Sequence, residues 1–325
     1  MKILLTHTPH MRAQYYGERA LAGLRAMAEV RLHEHADALQ PQQLIEAARD
    51  IDFVIADRLT TGPGVIFESL PALKGFLRCA VDIRNIDVPA ATKAGILVTR
   101  AKPGFVQSVT EMAIGYLVDL SRGISRSTAS YQAGEKPEVR MGRQLSGSSV
   151  GIIGYGAISR YLAPILHAMG MAVSITDPYA KVEDARFKQV PLEAVLSDSD
   201  YVICLAVATE ETENLMNAAA FAKMKKTAFF LNLSRGNLVD EPALAAALVE
   251  GRIAGAAMDV GRALDQMPTP ELAKLPNVIA TPHTGGLTPP AIEAQALDTV
   301  SQIKELLAGE VPHGAVNAES WTRRV

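Results

Sequence analysis

Cysteine, aromatic residues and long apolar runs are all scarce in this chain of 325 residues. The two cysteines, Cys79 and Cys204, each lie inside an apolar run, which indicates buried thiols in a reducing compartment rather than disulfides or a metal site. No run of about 18 apolar residues appears, and the apolar run near the start is too short for a signal-peptide core. We therefore expect a cytoplasmic protein without a membrane span or a bound metal.

The chain also lacks an excess of positive charge. Its formal net charge is -3, with 48% hydrophobic and 21% charged residues. That balance gives no overall attraction to nucleic acid or to an anionic membrane. The composition is typical of globular proteins, and the length suits two domains. A small molecule is the expected partner, with neither nucleic acid nor membrane involved.

Short apolar runs alternate with helical patterns along the chain. The first series of strand-like runs is KILLTH, DFVIAD, GFLRCAV and GILVTR, with a helix predicted for ERALAGLRAMAEV. A second series of strand-like runs begins at SSVGIIGYG and continues through MAVSITD, DYVICLAV, TAFFLNLS, IAGAAMDV and NVIATPH. This alternation predicts an α/β fold with parallel sheets, and the second series, six strands in succession, matches a doubly wound Rossmann sheet.

Two longer helical patterns suggest how the domains are arranged. A buried helix is predicted for residues 106–127, between the two series, and an amphipathic helix for PPAIEAQALDTVSQIKELLAGE after the second. The last helix can return to the first domain, which is then discontinuous and flavodoxin-like. We predict a substrate domain formed by residues 1–101 and 286–325, and a dinucleotide-binding domain formed by residues 102–285.

A glycine-rich turn, GYGAIS, follows the first strand of the second series and opens a helix. Gly154 permits the tight turn, Gly156 lets the backbone approach a pyrophosphate, and Ser159 is small enough for contact between helix and sheet. The backbone of Ala157 and Ile158 would present N–H groups to the phosphates. A tight turn without a ligand is the alternative.

Asp177 ends the next strand, and a carboxylate there accepts hydrogen bonds from ribose hydroxyls and repels a 2'-phosphate. Its alternative role is to cap the turn beside Pro178. Strand, glycines, helix and acid stand in the order of an NAD site, so we predict NAD rather than NADP.

Several stretches of the sequence resemble the D-isomer-specific 2-hydroxyacid dehydrogenases. They are NIDVPAATKAGILVT, GYGAIS, DPY, ETENLMNAAAFAKMKKTAFFLN, NLSRGNLVDEPAL, GRIAGAAMDV and LPNVIATPHTGG, and together they cover most of residues 78–286. The resemblance implies reversible reduction of a 2-keto acid to a D-2-hydroxy acid by NADH, between two domains that close to exclude water. It also implies a homodimer.

The resemblance assigns roles to individual residues. Arg235 would bind the substrate carboxylate, and His283 would exchange a proton with the substrate oxygen, as a side chain that titrates near neutral pH can do. Asp259 would bind the nicotinamide carboxamide, with Thr110 and Ser234 also lining the cofactor site.

The family pattern is broken near residue 264. Relatives carry an acid there that pairs with the histidine and raises its pKa. This chain has Leu264, followed by Asp265 and Gln266. Either Asp265 reaches His283 after a loop shift, which we prefer slightly, or Gln266 holds the ring without charge.

A second break lies at LRCAVDIRNID. The backbone N–H groups of Val81 and Asp82 would bind the substrate carboxylate where relatives commonly have glycines. An aspartate beside a carboxylate is unfavourable, so Asp82 and Arg84 either pair or read a polar substituent of the substrate, or both face solvent. A third break places Leu205 and Val207 where relatives often have His and Pro, near the adenosine.

Other histidines have simpler interpretations. His7 and His10 are predicted to serve in turns and caps, and His33 and His35 to lie on a solvated strand face rather than to bind a metal. Because Leu264 and Asp82 depart from the pattern, a dinucleotide-binding sensor with little turnover is the alternative to an enzyme. A formate-type enzyme would need a second arginine for its anion, and none stands out.

Overall fold

The computed structural model describes residues 1–324, except for the side chain of Asp265. The chain divides into two compact units, one of Met1–Gly104 with the segment from Pro289 onward, and one of Phe105–Thr288. Each unit is built on a parallel sheet with helices packed against it, which confirms the predicted α/β class.

The strands are short, and most are buried. Within residues 1–324 they are β1 (Lys2–Leu5), β2 (Glu29–Leu32), β3 (Phe53–Ala56), β4 (Gly75–Arg78), β5 (Leu97–Arg100), β6 (Ser149–Ile153), β7 (Ala172–Thr176), β8 (Lys188–Gln189), β9 (Tyr201–Cys204), β10 (Phe229–Asn232), β11 (Gly255–Met258) and β12 (Val278–Ala280). Continuous apolar runs such as FVIA in β3 and YVIC in β9 suit strands that are covered on both faces.

The helices alternate with these strands. Over the same residues they are α1 (Pro9–Tyr15), α2 (Glu18–Arg25), α3 (Pro41–Ala47), α4 (Gly64–Ser69), α5 (Val88–Lys93), α6 (Val106–Arg122), α7 (Ile124–Gln132), α8 (Ala157–Ala168), α9 (Leu192–Asp198), α10 (Ala218–Lys223), α11 (Glu241–Val249), α12 (Pro270–Ala273) and α13 (Pro289–Leu307). Polar caps fix several starts: the Thr8 hydroxyl accepts from the N–H of Met11 at α1, and the Asp240 carboxylate from that of Ala243 at α11.

The two sheets have the strand orders of two known nucleotide-binding folds. In the first unit, the described strands are ordered β2-β1-β3-β4-β5, all parallel, which is the flavodoxin-like order. In the second unit the order is β12-β11-β10-β9-β6-β7-β8, which is the Rossmann order extended by one strand. Both predicted architectures are confirmed.

The core of the second unit shows the two-residue period of a sheet covered on both faces. Val202 and Phe230 pack into one apolar cluster, whereas their neighbours Ile203 and Leu231 pack into another. All four side chains are fully buried. Because successive strand residues point to opposite faces, this alternation fixes the register of β9 and β10.

Three secondary-structure predictions were wrong in their extent. The helix predicted from residue 18 ends at Arg25, because the chain enters β2 at Glu29. The helix predicted for residues 106–127 ends at Arg122, because Gly123 adopts a left-handed φ of 66° between α6 and α7. The predicted second series also missed β8, which has only two residues.

Candidate active site

Three of the predicted site residues follow the carboxyl ends of three neighbouring strands. Arg235 follows β10, Asp259 follows β11 and His283 follows β12. The last residues of these strands pair in register, Asn232 with Met258 and Met258 with Ala280. The three candidates therefore emerge at one edge of one sheet, where open parallel sheets bind ligands.

The glycine turn lies at the same edge, after β6. Gly154 has a φ of 95°, and a Cβ there would lie 2.7 Å from the backbone of Ala206, so both conformation and space require glycine. A Cβ at Gly156 would meet nothing within 4 Å. The Ser159 hydroxyl is buried and donates to the Gly154 carbonyl at 2.6 Å, which explains how a serine fits at the third position.

The start of α8 fits a pyrophosphate. Gly156 is its N-cap, Ala157 is exposed and Ile158 is half-buried. The first N–H groups of a helix have no partner inside the helix, and its dipole favours an anion at that end. This chain therefore offers backbone donors and open space at the position where the sequence predicts the phosphates of NAD.

Asp177 already has partners in the turn. Its carboxylate accepts from the N–H groups of Tyr155 at 2.6 Å, Tyr179 at 2.8 Å and Ala180 at 2.7 Å. Burial alone would raise the pKa of Asp177, but the three backbone donors lower it below its usual value. The carboxylate is thus held ionised as a turn cap, and one of its roughly four acceptor positions is left for another donor.

Ser234 and Arg235 follow β10 in a tightly packed loop. The Ser234 hydroxyl donates to the Ala206 carbonyl, and Arg235 Nη1 donates to the Ser234 carbonyl at 2.7 Å. A Cβ on Gly236 would lie 2.1 Å from the Gly261 carbonyl oxygen, so the loops after β10 and β11 touch through their backbones. Arg235 is half-buried and is one residue away from this contact.

Asp259 holds the loop that carries His283. It is 4% exposed, and its carboxylate accepts from the Thr281 hydroxyl at 2.5 Å and from the N–H groups of Thr284 and Gly285 at 2.8 Å each. The Thr281 hydroxyl also contacts the Tyr116 hydroxyl of α6. Half-buried His283 has a φ of 54°, which is unusual for a residue with a Cβ.

Thr110, on α6, has an unused hydrogen-bonding group. Its side chain is fully buried, and its Oγ1 has no hydrogen-bond partner within the described part of the chain. A buried hydroxyl without a partner is uncommon in a native fold. This agrees with a position that contacts a ligand, and the predicted cofactor contact stays a prediction.

The choice between Asp265 and Gln266 stays open. The side chain of Asp265 lies outside the described residues. Gln266 has a φ of 59° and is half-buried, and its Oε1 is buried without a hydrogen-bond donor among the described atoms. Leu264, at the position where relatives carry an acid, is 88% exposed.

Val81 and Asp82 belong to the first unit and follow β4. Asp82 forms a bidentate ion pair with Arg84, with Nη2 to Oδ2 at 2.6 Å and Nε to Oδ1 at 3.0 Å. Of the alternatives considered for these two side chains, pairing is therefore the arrangement observed.

The first unit also buries charged groups that the sequence analysis missed. Arg78, the last residue of β4, is fully buried; its Nη2 donates to the Thr60 carbonyl at 2.8 Å and to Asn85 Oδ1 at 2.6 Å. Its Nε and Nη1, together with Asp57 Oδ2 and His7 Nδ1, have no hydrogen-bond partner within residues 1–324. Their only sequence signal was a polar residue at the end of each of three neighbouring strands.

The predictions for the other histidines need correction. His7 is buried against the Tyr16 ring, and Thr8 rather than His7 caps α1. His33 follows β2 instead of lying on it, and its Nε2 meets the Asp37 carbonyl at 2.7 Å. No cluster of three or more metal-ligating side chains occurs in the part of the chain that the structure describes.

Comparison with families and curated proteins agrees with this geometry. Residues 114–285, slightly more than half of the chain, match the model of the D-isomer specific 2-hydroxyacid dehydrogenase, NAD binding domain. The chain is 34% identical over 322 residues to D-3-phosphoglycerate dehydrogenase of Methanocaldococcus jannaschii, covering 98% of this chain but 59% of that protein. It is 31% identical over 315 residues to glyoxylate reductase of Pyrococcus furiosus, covering 93% of each.

Lengths differ among these relatives. The chain spans only 59% and 55% of two D-3-phosphoglycerate dehydrogenases that it matches, the second from Synechocystis. Among solved structures, D-2-hydroxyisocaproate dehydrogenase superposes with a TM-score of 0.87 at 24% identity, covering 98% of this chain and all of that one. That likeness shows the fold alone.

The fold and the family agree on the cofactor. The open space at Gly156, the N-terminus of α8 and the ionised Asp177 fit a dinucleotide, and the matched family model is that of an NAD-binding domain. The predicted NAD cofactor is confirmed. No helix within residues 1–324 is both long and apolar enough to cross a membrane. From its family match and its relatives over nearly the whole length, the chain belongs to the D-isomer specific 2-hydroxyacid dehydrogenases.

Proposed function

We propose that the protein is an NAD-dependent oxidoreductase that interconverts a 2-keto acid and a D-2-hydroxy acid. The observation that carries this proposal is the placement of Arg235, Asp259 and His283 after three strands paired in register. Arg235, a cation that can bind the substrate carboxylate, and His283, which can exchange a proton with the keto oxygen, thus lie at the same sheet edge as the glycine turn. Relatives named glyoxylate reductase and hydroxypyruvate reductase support the reaction class.

The cofactor is assigned to side chains and backbone groups of the second unit. The N–H groups at the start of α8 would bind the pyrophosphate, and Asp177 would use its remaining acceptor position for the ribose. The full set of proposed cofactor contacts is Gly154, Gly156, Ala157, Ile158, Asp177, Thr110, Ser234 and Asp259. Val207, largely exposed after β9, offers apolar surface near the same edge.

The chemistry is divided between Arg235 and His283. Bound NADH supplies the hydride that reduces the keto carbon. Arg235 binds the substrate carboxylate through charge-assisted hydrogen bonds and so orients the keto group. His283 donates a proton to the keto oxygen during reduction and accepts it from the hydroxyl during oxidation.

His283 needs a partner that fixes its ring. We assign this to Asp265, whose carboxylate would stabilise the protonated imidazole and favour reduction. Gln266 would instead orient the ring as an uncharged partner. The two assignments differ in whether a negative charge stands beside the ring.

The substrate domain is assigned to residues 1–101 and 286–325, and the NAD-binding domain to residues 102–285. In the former, the backbone N–H groups of Val81 and Asp82 would bind the substrate carboxylate. The Asp82 carboxylate is compatible with this because Arg84 neutralises it.

We further propose a cytoplasmic homodimer. Its interface would lie on the second unit, where Val139 and Met141 are 94% and 100% exposed and Tyr131 and Ile124 of α7 are also exposed. Isolated exposed apolar side chains are ordinary, but four within 18 residues favour a protein interface. The buried thiols of Cys79 and Cys204 agree with a reducing compartment.

A dinucleotide-binding sensor is the second candidate. It is favoured by the exposed Leu264 at the position of the usual acid. Such a protein would bind NADH without turnover of any keto acid.

The test is NADH oxidation by the purified protein with glyoxylate, hydroxypyruvate, pyruvate, 2-ketobutyrate and phenylpyruvate. We expect turnover with at least one substrate and its loss, by about 100-fold or more, in His283→Ala. The matched control is His167→Ala, an exposed histidine in the last turn of α8, the end of that helix away from the glycine turn. Saturable NADH fluorescence without oxidation of any substrate would instead establish the sensor.

A further inference from the structure

One face of α6 packs against the loop that carries His283. Ser108, Met112 and Tyr116 are spaced four residues apart, so they lie on one face of the helix. The Ser108 hydroxyl meets the Thr288 hydroxyl at 2.6 Å, and Met112 Sδ lies 3.8 Å from Thr281 Oγ1. Tyr116 bonds to the Thr281 hydroxyl, so α6 contacts the loop on both sides of His283.

The hydrogen bonds from Tyr116 have a fixed direction. The Thr281 hydroxyl donates its one proton to Asp259 Oδ1 at 2.5 Å, an oxygen that also accepts from the Thr284 N–H. Its oxygen must then accept from Tyr116. Burial raises the pKa of Tyr116, which keeps the phenol protonated and therefore a permanent donor.

This chain of bonds ends on both sides of His283. Asp259 receives the Thr281 hydroxyl before the histidine and the N–H groups of Thr284 and Gly285 after it. Between these points the His283 N–H donates to the Thr281 carbonyl at 3.0 Å. The φ of 54° at His283 is unfavourable for a residue with a Cβ, so the turn persists only because its surroundings hold it.

We propose that Tyr116 is a positioning residue for His283, acting through Thr281 and Asp259. The proposal rests on the proposed role of His283 as acid and base. Tyr116 itself touches neither the substrate nor the cofactor in this assignment; its hydroxyl fixes the Thr281 rotamer that orients the Asp259 carboxylate. Small displacements of a group that transfers protons cost large factors in rate, so a single hydroxyl on a helix can matter to turnover.

The first test compares two tyrosine hydroxyls of the same unit. Tyr116→Phe removes the donor and keeps the ring. Tyr201→Phe is the matched control, because the buried Tyr201 hydroxyl bonds to Ser121 at 2.7 Å and has no part in the His283 loop. We expect kcat to fall about tenfold in Tyr116→Phe and to stay near the native value in Tyr201→Phe.

A second measurement needs no activity. Amide hydrogen exchange at Thr284 and Gly285, whose N–H groups bond to Asp259, should accelerate about fivefold in Tyr116→Phe and not in Tyr201→Phe. If the native protein shows no turnover, the proposed function fails, while the exchange rates still decide the positioning role. Unchanged exchange at these two amides would overturn it, as would an equal fall of kcat in both variants.

Variants of Thr281 separate the hydroxyl from the packing. Thr281→Val keeps the shape and loses the bonds, whereas Thr281→Ser keeps the hydroxyl. We expect the valine variant to reproduce the loss of kcat and the faster exchange, and the serine variant to recover most of both. Equal behaviour of the two variants would assign the effect to packing and contradict the proposal.

Discussion

The two sheets treat polar groups at their carboxyl edges in different ways. In the second unit, Asp177 and Asp259 receive backbone N–H groups, and Gly156 leaves open space beside a helix start. In the first unit, Arg78 is fully buried, and two of its nitrogen atoms have no partner among residues 1–324. Parallel topology brings polar residues to one edge in both sheets, and the loops decide whether a group there stays beside open space, as Gly156 does, or is buried, as Arg78 is.

The electrostatic consequences differ accordingly. Backbone donors lower the pKa of Asp177, whereas burial lowers the pKa of Arg78 to about 10 and that of His7 to about 4. The carboxyl edge of the second unit's sheet thus stabilises ionised groups, whereas burial at the carboxyl edge of the first unit's sheet destabilises them. We therefore expect activity to respond most to substitutions at the carboxyl edge of the second unit's sheet. The pH dependence of the free energy of unfolding should respond most to substitutions at that edge of the first unit's sheet.

Replacement of Arg235, the proposed partner of the substrate carboxylate, should have the largest effect. Arg235→Gln keeps a long polar side chain but loses the charge, and we expect kcat/KM for the keto acid to fall about 1000-fold, or about 4 kcal/mol. Steady-state kinetics with each active substrate measure this. Arg235→Lys should recover only part of the loss, because an ammonium cannot form the bidentate contact. Native kcat/KM in Arg235→Gln would remove the residue from the site.

Acidification should lower the free energy of unfolding through His7, which is buried in the first unit. Its folded pKa, lowered mainly by burial, is about 4 against a usual 6.5, so the folded state binds fewer protons than the unfolded state. This contribution is fully present above pH 6.5 and is lost as the pH falls toward 4, on the order of 3 kcal/mol in total.

Urea unfolding from pH 7 to pH 4 would measure that loss. His7→Gln cannot titrate, so its free energy of unfolding should fall less steeply over the same range. Parallel pH profiles of the native protein and His7→Gln would contradict the assignment.

The two glycines of the turn should separate folding from binding. Gly154→Ala places a Cβ 2.7 Å from the Ala206 backbone at a φ of 95°, and we expect it to lower the free energy of unfolding by about 2 kcal/mol. Gly156→Ala meets open space, so it should fold normally and weaken only NADH binding. Thermal melts and NADH fluorescence titrations distinguish the two; equal melting temperatures would show that the close contact is tolerated.

The smallest effect is expected at the Asp82 and Arg84 pair. Arg84 is about half exposed, and solvent screens such a pair, so Arg84→Ala should change the free energy of unfolding by less than about 0.5 kcal/mol. Kinetics of Asp82→Gly on the same keto acids test the substrate role. An unchanged ranking of substrates would show that the Asp82–Arg84 pair does not select the substrate and has only a structural role.

Much of the fold was predictable because local patterns and topology agree. Continuous apolar runs such as YVIC, separated by helical patterns, allow few arrangements other than parallel sheets. The errors fell where the local signal was weak: β8 has only two residues, and α6 ends at Arg122, before Gly123, although its helical pattern was predicted to extend to residue 127.

The candidate site was less fully predictable. Residues with a motif around them, such as Gly154 and His283, could be placed from the sequence. Tyr116 could not, because nothing in the pattern of α6 distinguishes a tyrosine that packs in the core from one that donates to Thr281. The burial of Arg78 and His7 was equally hidden, since both look like ordinary polar residues at strand ends.

The sequence by itself determined the class of fold, the dinucleotide turn and the order in which Arg235, Asp259 and His283 follow their strands. These depend on local conformational preference and on apolar periodicity, which are properties of short segments. Only the tertiary structure decided which polar groups share hydrogen bonds. Thr281 lies 22 residues from Asp259 and 165 residues from Tyr116 in the chain. The three side chains meet because sheet register and helix packing, not sequence spacing, fix their distances.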